Sequence, residues 1–256
     1  MPQNILITGA SRGLGAALAS ASAEPGTRLI LWARDRTALE KVEALCTEKG
    51  AEVDLVCADL RDTAAAISRL KALDAAHPLD AIYINAGLFD GAREPGGMER
   101  IAAELAIIEV NLSASIALIH AAATCMRGRR KGRIIVISSL AAHYPLADAA
   151  AYSASKAGLS AYAGALREKL AADNVLVTDV RPGHIMSDMT RAQKGDLPGL
   201  MSAQKAAEII LKGVRQNRSQ IAFPLVLVIL TRLANLLPWR LRAFLGRSQR
   251  FTIRRD

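Results

Sequence analysis

Ile5-Leu6-Ile7-Thr8-Gly9-Ala10-Ser11-Arg12-Gly13-Leu14-Gly15 is the stretch that decides the fold. Residues 5–8 are a short apolar run of β type, and an Ala-rich helical pattern follows from Ala16 to about Ala23. Strand, glycine turn, helix is the context a phosphate-binding loop requires. The glycines let the backbone turn tightly and approach a pyrophosphate. The helix N-terminus then offers free N–H groups and the positive end of its dipole. A plain glycine-rich strand-to-helix turn fits the same residues, so this stretch alone leaves the ligand open.

Working outward, strands are expected at 28–32, 53–57, 81–84, 133–137, 175–180 and 220–223. Helical patterns separate them at 36–49, 63–75, 101–123, from Tyr152 to about Ala172, and 202–215. Residues 133–137 are almost continuously apolar, as a strand covered on both faces must be. Residues 184–199 are polar, without a clear period, and read as a lid. There is no internal repeat. Strand and helix alternate throughout, which predicts a single parallel, doubly wound α/β domain over residues 1–220 and a C-terminal extension over 221–256.

Composition limits the class. The 256 residues are 51% hydrophobic and only 4% aromatic, enough for a sizeable core of small side chains. Cys46, Cys57 and Cys125 are odd in number and far apart, with neither a disulfide framework nor metal-ligand spacing. No metal is expected. A cytoplasmic location is expected, because the N-terminus runs directly into a strand pattern with no leader features. The net charge of +9 is unevenly placed: from Gln216 onward there are eight Arg, no Lys and one Asp, or +7, leaving +2 for the body.

Tyr152-Ser153-Ala154-Ser155-Lys156 carries the candidate chemistry. Four residues apart on a helix, Tyr152 and Lys156 share a face. A free phenol titrates near pH 10, and an ammonium close by is expected to lower that value toward neutrality. The pair then suits general acid–base work, although Tyr and Lys at this spacing also occur as a plain surface pair. At the end of the second strand a dinucleotide-binding fold meets the adenosine ribose. Ala33-Arg34 occupies that turn, and the first acid, Asp35, comes after it. Arg34 and Arg12 are expected to meet a 2′-phosphate, favouring NADP(H) over NAD(H); the alternative is two solvated loop arginines. Asn111, amid Ile107, Ile108, Val110 and Leu112, is expected to be buried and to need partners, water among the candidates. Ser138-Ser139 end the fifth strand, where open α/β sheets bind ligands.

Together these pieces resemble the short-chain dehydrogenase/reductase family in its single-domain form. The matching residues are TGASRGLG at 8–15, Asp59-Leu60, NAG at 85–87, Asn111, Ser139, YSASK at 152–156 and RPG at 181–183, in the family's order. Ser139 has the family's spacing to Tyr152; Ser138 is one residue off. The resemblance implies a Rossmann fold with a seven-stranded parallel sheet and helices on both faces. It implies Tyr152 as general acid or base, Lys156 as the group that lowers its pKa and holds the nicotinamide ribose, and Ser139 as the holder of the substrate oxygen. Asn111 would hold a water linking Lys156 to solvent. Gly9, Ser11, Arg12, Gly13, Leu14 and Gly15 would cradle the phosphates, Asp59 and Leu60 the adenine, and Asn85, Ala86 and Gly87 the ribose and central backbone. Pro182, Gly183, Ile185 and Ser187 would pack beside the nicotinamide, Ser187 standing where the family usually has Thr. The implied activity is hydride transfer between NADP(H) and a small-molecule carbonyl/alcohol pair in a homodimer or homotetramer. The competing class is an NADP(H)-binding protein with vestigial chemistry, acting through a partner or membrane.

The extension is apolar and basic. Ile221 to Leu230 is too short to span a bilayer, and Arg232 interrupts any longer span. Leu225 to Leu237 reads as a helix, and the apolar tail suits a lipophilic substrate. Three roles are open for the tail: completing the substrate pocket, forming a subunit contact, or peripheral contact with a membrane surface. Nucleic acid is not an expected partner, because no stacking aromatics alternate with the arginines.

Overall fold

The computed structural model describes residues 3–94, 96–191, 193–194, 197–245 and 251–253. In chain order it runs β1 (Gln3–Thr8), α1 (Gly13–Ser22), β2 (Thr27–Ala33), α2 (Arg36–Thr47), β3 (Glu52–Cys57), α3 (Thr63–Ala76) and β4 (Ala81–Ile84). Next come α4 (Ile101–Ile108), a π-turn (Glu109–Ala114), α5 (Ser115–Gly128), β5 (Gly132–Ile137), α6 (Ala150–Leu170) and β6 (Val175–Pro182). The remainder is α7 (Asp188–Arg191), β7 (Gln193–Lys194), α8 (Ala203–Arg215), β8 (Gln220–Phe223), α9 (Leu225–Ala234), α10 (Trp239–Leu245) and β9 (Thr252–Ile253). A seven-stranded sheet in the order β3-β2-β1-β4-β5-β6-β8 is parallel throughout.

Strand residues alternate between two cores. Ile5, Ile7, Leu29, Leu31, Tyr83 and Ile135 face α1, α2 and α8 through Leu18, Leu39 and Ile210. Leu6, Ile30, Trp32, Ile82, Ile84 and Val136 face α3, α5 and α6 through Leu70, Leu118 and Leu159. The side chains of Asp35, Asp62 and Ser202 each accept from a backbone N–H in the first turn of α2, α3 and α8, which fixes where those helices begin.

The winding direction reverses between β1 and β4, and a crevice opens beyond their C-terminal ends. Side chains tie those ends together. Thr8 Oγ1 donates to the Tyr83 carbonyl at 3.3 Å and accepts from the N–H groups of Asn85 and Ala86, both at 3.0 Å. Asn85 Nδ2 donates back to the carbonyls of Thr8 at 2.9 Å and Gly9 at 3.2 Å.

Three expectations are corrected. The helix expected over 101–123 runs on from Ile101 to Gly128 and contains a π-helical turn, Glu109–Ala114, that carries Asn111. Apolar periodicity cannot register one extra residue in a turn. The lid over 184–199 contains α7 and β7, and β7 pairs antiparallel with β9, so the end of the tail straps the lid. The helix expected over 225–237 ends at Ala234. Residues 192, 195 and 196 of the lid, and 246–250 and 254–256 of the tail, lie outside the described residues. β8 carries the sheet past residue 220: Ile221, Ala222 and Phe223 pair with Val180, Arg181 and Pro182.

Replacing Asn85 with Ala leaves two carbonyls at the crevice without their side-chain donor. Urea unfolding of Asn85→Ala should show a loss of about 1–3 kcal/mol. An unchanged midpoint would remove Asn85 from this role.

Candidate active site

The glycine turn is shaped by close approach. Gly9 has φ +66° and Gly13 φ +56°, the left-handed region that glycine enters freely. A Cβ on Gly9 would stand 2.8 Å from Ala86 Cα. One on Gly15 would run into the Gly9 carbonyl and lie 2.7 Å from Asn85 Nδ2. Beside Gly13 the nearest atom to such a Cβ is the Cβ of Ser187, at 3.5 Å, so the lid comes close to the turn. No side chain caps the N-terminus of α1, and its first turn has no acid. Its leading N–H groups therefore suit an anion, and these residues fit a dinucleotide pyrophosphate. Ser11 and Leu14 are half-buried beside it and Arg12 is exposed.

Beyond the end of β3, Asp59 is held by Arg61, with Nη2 at 2.7 Å and Nε at 3.0 Å. Exposed Arg34 lies 3.9 Å from the same carboxylate. The hydrogen bond from Arg61 holds the Asp59 carboxyl below its ordinary value, with the Arg34 charge adding to it. Asp35 accepts from Ala38 N–H at 3.0 Å, so its carboxylate serves α2. Arg61 is a cation the sequence reading missed; nothing but its position two residues after Asp59 marks it. Leu60 is buried in the core, and Asn85 is engaged with Thr8 and Gly9 as described.

The four candidate catalytic residues converge from β5, the π-turn and α6. Ser139 follows β5; its Oγ accepts from Ala141 N–H at 3.1 Å, and its side chain neighbours the Tyr152 phenol. Lys156 is 4% exposed; its Nζ donates to the Ile137 carbonyl at 2.9 Å and lies 5.8 Å from the centre of the Tyr152 ring. Asn111 is fully buried. Its Oδ1 accepts from Leu88 N–H at 2.7 Å, and its Nδ2 donates to the Leu88 carbonyl at 2.9 Å and to Ser155 Oγ at 3.2 Å. Its partners are thus the strand-end loop and α6. A Cβ on Gly87 would come within 3.3 Å of Asn111 Oδ1 and 3.6 Å of Lys156 Nζ, so glycine keeps this corner open.

The electrostatics differ from the sequence expectation. Burial pushes the Tyr152 phenol above its ordinary value, and the hydrogen bond with Ser139 only partly offsets it. Burial also weakens the ammonium expected to lower it: Lys156 is brought down to about 8, with Asp179 opposing. In this pocket desolvation outweighs the attraction between the pair.

Asp179 is a further residue the sequence reading missed. It is 1% exposed on β6 and accepts from Ser138 Oγ at 2.6 Å, Ser160 Oγ at 2.6 Å and Arg181 Nε at 2.7 Å. Ser138 is thereby anchored below the sheet end, and Ser139 is left to meet Tyr152. Phe251 was missed as well. It stacks on Phe89 at 5.9 Å, and Phe89 stands edge-on to Tyr152 at 4.9 Å. On the lid side, Gly183 N–H donates to the Phe223 carbonyl at 2.7 Å, Ile185 bridges to Met201, and Ser187 N–H donates to Thr190 Oγ1 at 2.9 Å. Pro182 is the buried last residue of β6.

The Lys156 value has a measurable sign. An unfolded lysine binds its proton up to about 10.5 and the folded one only to about 8. Between those limits the unfolded state holds more protons, so this group's contribution to stability rises with pH and is least favourable below 8. In urea unfolding of the cofactor-free protein, wild type should gain stability relative to Lys156→Met from pH 8 to pH 10. A difference that stays flat or falls over that range would contradict the burial of a depressed ammonium.

Comparison with known proteins agrees with this geometry. The short chain dehydrogenase family model matches residues 3–197. An uncharacterized oxidoreductase of Myxococcus xanthus (strain DK1622) is 35% identical over 237 residues, 91% of this chain and 92% of that protein. The bulky-bulky ketone specific alcohol dehydrogenase from Comamonas testosteroni superposes with a TM-score of 0.76 at 26% identity, over 87% of this chain and 86% of that one. A metagenomic short-chain oxidoreductase in complex with NADP gives a TM-score of 0.74 at 32% identity, over 88% and 98% of the two chains. The crevice at the strand ends, the family-model match and these likenesses together make the chain a member of the short-chain dehydrogenase family, oxidoreductases that use nicotinamide cofactors on alcohol and carbonyl groups.

Proposed function

We propose that the protein is an NADP(H)-dependent oxidoreductase that interconverts a carbonyl and an alcohol on a bulky, lipophilic small molecule. The observation that carries this reading is the convergence of Ser139, Tyr152 and Lys156 beyond the end of β5: the Ser139 side chain neighbours the Tyr152 phenol, and the Lys156 amine lies 5.8 Å from the centre of the same ring. The cofactor, when bound, supplies or accepts the hydride; the chain's own residues do the rest. Ser139 and Tyr152 hold the substrate oxygen between two hydroxyls and stabilise charge developing on it. Burial keeps the phenol protonated at neutral pH, the form that donates a proton to a carbonyl oxygen during reduction. Lys156 then returns a proton to Tyr152. Asn111, which holds the Leu88 backbone beside Gly87, orients a water that leads from Lys156 to solvent.

Gly9, Ser11, Arg12, Gly13, Leu14 and Gly15 hold the phosphates against the α1 N-terminus, with Asn85, Ala86 and Gly87 along the ribose. Asp59 and Leu60 border the adenine, and Pro182, Gly183, Ile185 and Ser187 border the nicotinamide. NADP(H) is favoured over NAD(H) because Arg34 directly follows β2, Arg61 adds a second cation at that end, and the Asp35 carboxylate is turned to α2. The metagenomic relative in complex with NADP is consistent with this. The apolar wall of Phe89 and Phe251 beside Tyr152, and the bulky-ketone enzyme among the structural relatives, support a lipophilic substrate.

Tyr152→Phe should abolish NADPH consumption over a panel of ketones and aldehydes while leaving NADPH affinity, read by fluorescence titration, within about threefold of wild type. Full turnover in that variant would defeat the assignment. Arg34→Asp should raise the NADPH Kd about tenfold, worth about 1.4 kcal/mol, and shift preference toward NADH. An unchanged ratio of the two cofactors' Kd values would remove Arg34 from selection.

A further inference from the structure

We propose that the outward face of α9, continued by α10, is a docking surface for an anionic lipid bilayer, on which the protein lies without crossing. A helix on the surface of a water-soluble protein turns its apolar stripe inward. α9 has an inner face of that kind: Val228 is buried, Thr231 returns its hydroxyl to the Leu227 carbonyl at 2.8 Å, and Asn235 Nδ2 donates to the His143 carbonyl at 2.7 Å. The opposite face is also apolar. Leu225, Val226, Ile229, Leu230, Leu233 and Leu236 are all exposed, from 48% at Ile229 to 81% at Leu236. At the helical period these side chains form one continuous stripe, with Arg232 on its edge. α10 extends it with exposed Trp239, Leu241 and Phe244.

Charge selects the occupant. Between Ile209 and Arg255 there is no Asp or Glu, and the cations from Gln216 onward are eight arginines. Arg240 lies 5.7 Å from the centre of the Trp239 ring, a guanidinium paired with an aromatic of the kind that settles at a bilayer interface. The charged residues of α9 and α10 are Arg232, Arg240 and Arg242, and an apolar stripe carrying cations and no acid on its own helices matches acyl chains beneath anionic headgroups. A second copy of this chain matches less well, because a two-fold contact would set the same arginines against each other with no acid on the patch to pair them. The helix lies flat: ten residues rise about 15 Å, half of the roughly 30 Å hydrocarbon core, and Pro238 separates α9 from α10. The surface also adjoins the site, since Leu227 lies against Gly183 and the end of α9 holds the His143 loop.

The test is sedimentation of the full-length protein with vesicles of phosphatidylcholine alone or containing about 30 mol% phosphatidylglycerol. Wild type should bind the anionic vesicles and be released by salt. Arg240→Gln and Arg242→Gln should each weaken binding about fivefold, and Leu233→Glu at least about tenfold. Leu233 is 56% exposed, so the fold should tolerate the change, and thermal unfolding checks this; if it fails to fold, Ile229→Ser replaces it. Failure of wild type to bind, equal binding to neutral and anionic vesicles, or a dimer that Leu233→Glu converts to monomer would each overturn the proposal, the last by assigning the face to a second copy. Turnover of a water-soluble carbonyl is measured in parallel. Activity without vesicle binding would reject this surface and leave the proposed reaction intact.

Discussion

The structure depends on burying one ammonium. Lys156 Nζ donates to the carbonyl of Ile137, the last residue of β5, and so pins α6 to the end of a central strand. A charge taken out of water at that depth needs both a hydrogen bond and an opposing charge. The carbonyl supplies the first and Asp179 on the neighbouring strand supplies the second. The same arrangement sets the geometry of the site. With α6 fixed, Tyr152 one turn earlier reaches Ser139, and Ser138 one residue before it is drawn to Asp179.

Around that anchor, the other parts are arranged by the reversal of winding between β1 and β4. Thr8 and Asn85 hold the two strand ends together, and the glycines bring the backbone close enough that a side chain would collide. The π-turn turns Asn111 toward Leu88 and Ser155, joining the loop after β4 to α6. The glycine turn, the strand ends and the candidate site residues therefore form one connected piece, and displacement of any one of them moves the others.

The return of the chain end to the site changes how the tail is understood. β9 pairs with β7 of the lid, and Phe251 reaches Tyr152 through Phe89, while α9 and α10 face outward between these points. The pocket and surface roles read separately from the sequence are compatible, because they fall on different stretches of the same extension.

Local periodicity and short fixed spacings made the α/β alternation, the strand positions and the glycine turn legible in the sequence, and the family resemblance marked Asn111, Ser139, Tyr152 and Lys156 as candidates for catalysis. Only the tertiary structure decided the direction of the Tyr152 shift, the partners of Asn111, the π-turn, and the roles of Arg61, Asp179 and Phe251. Those depend on desolvation and on contacts between residues distant in the chain: Phe251 pairs with Phe89, and Asp179 with Ser138. A charge pattern four residues long names a possible interaction, but how deeply the pair is buried decides whether attraction or desolvation prevails.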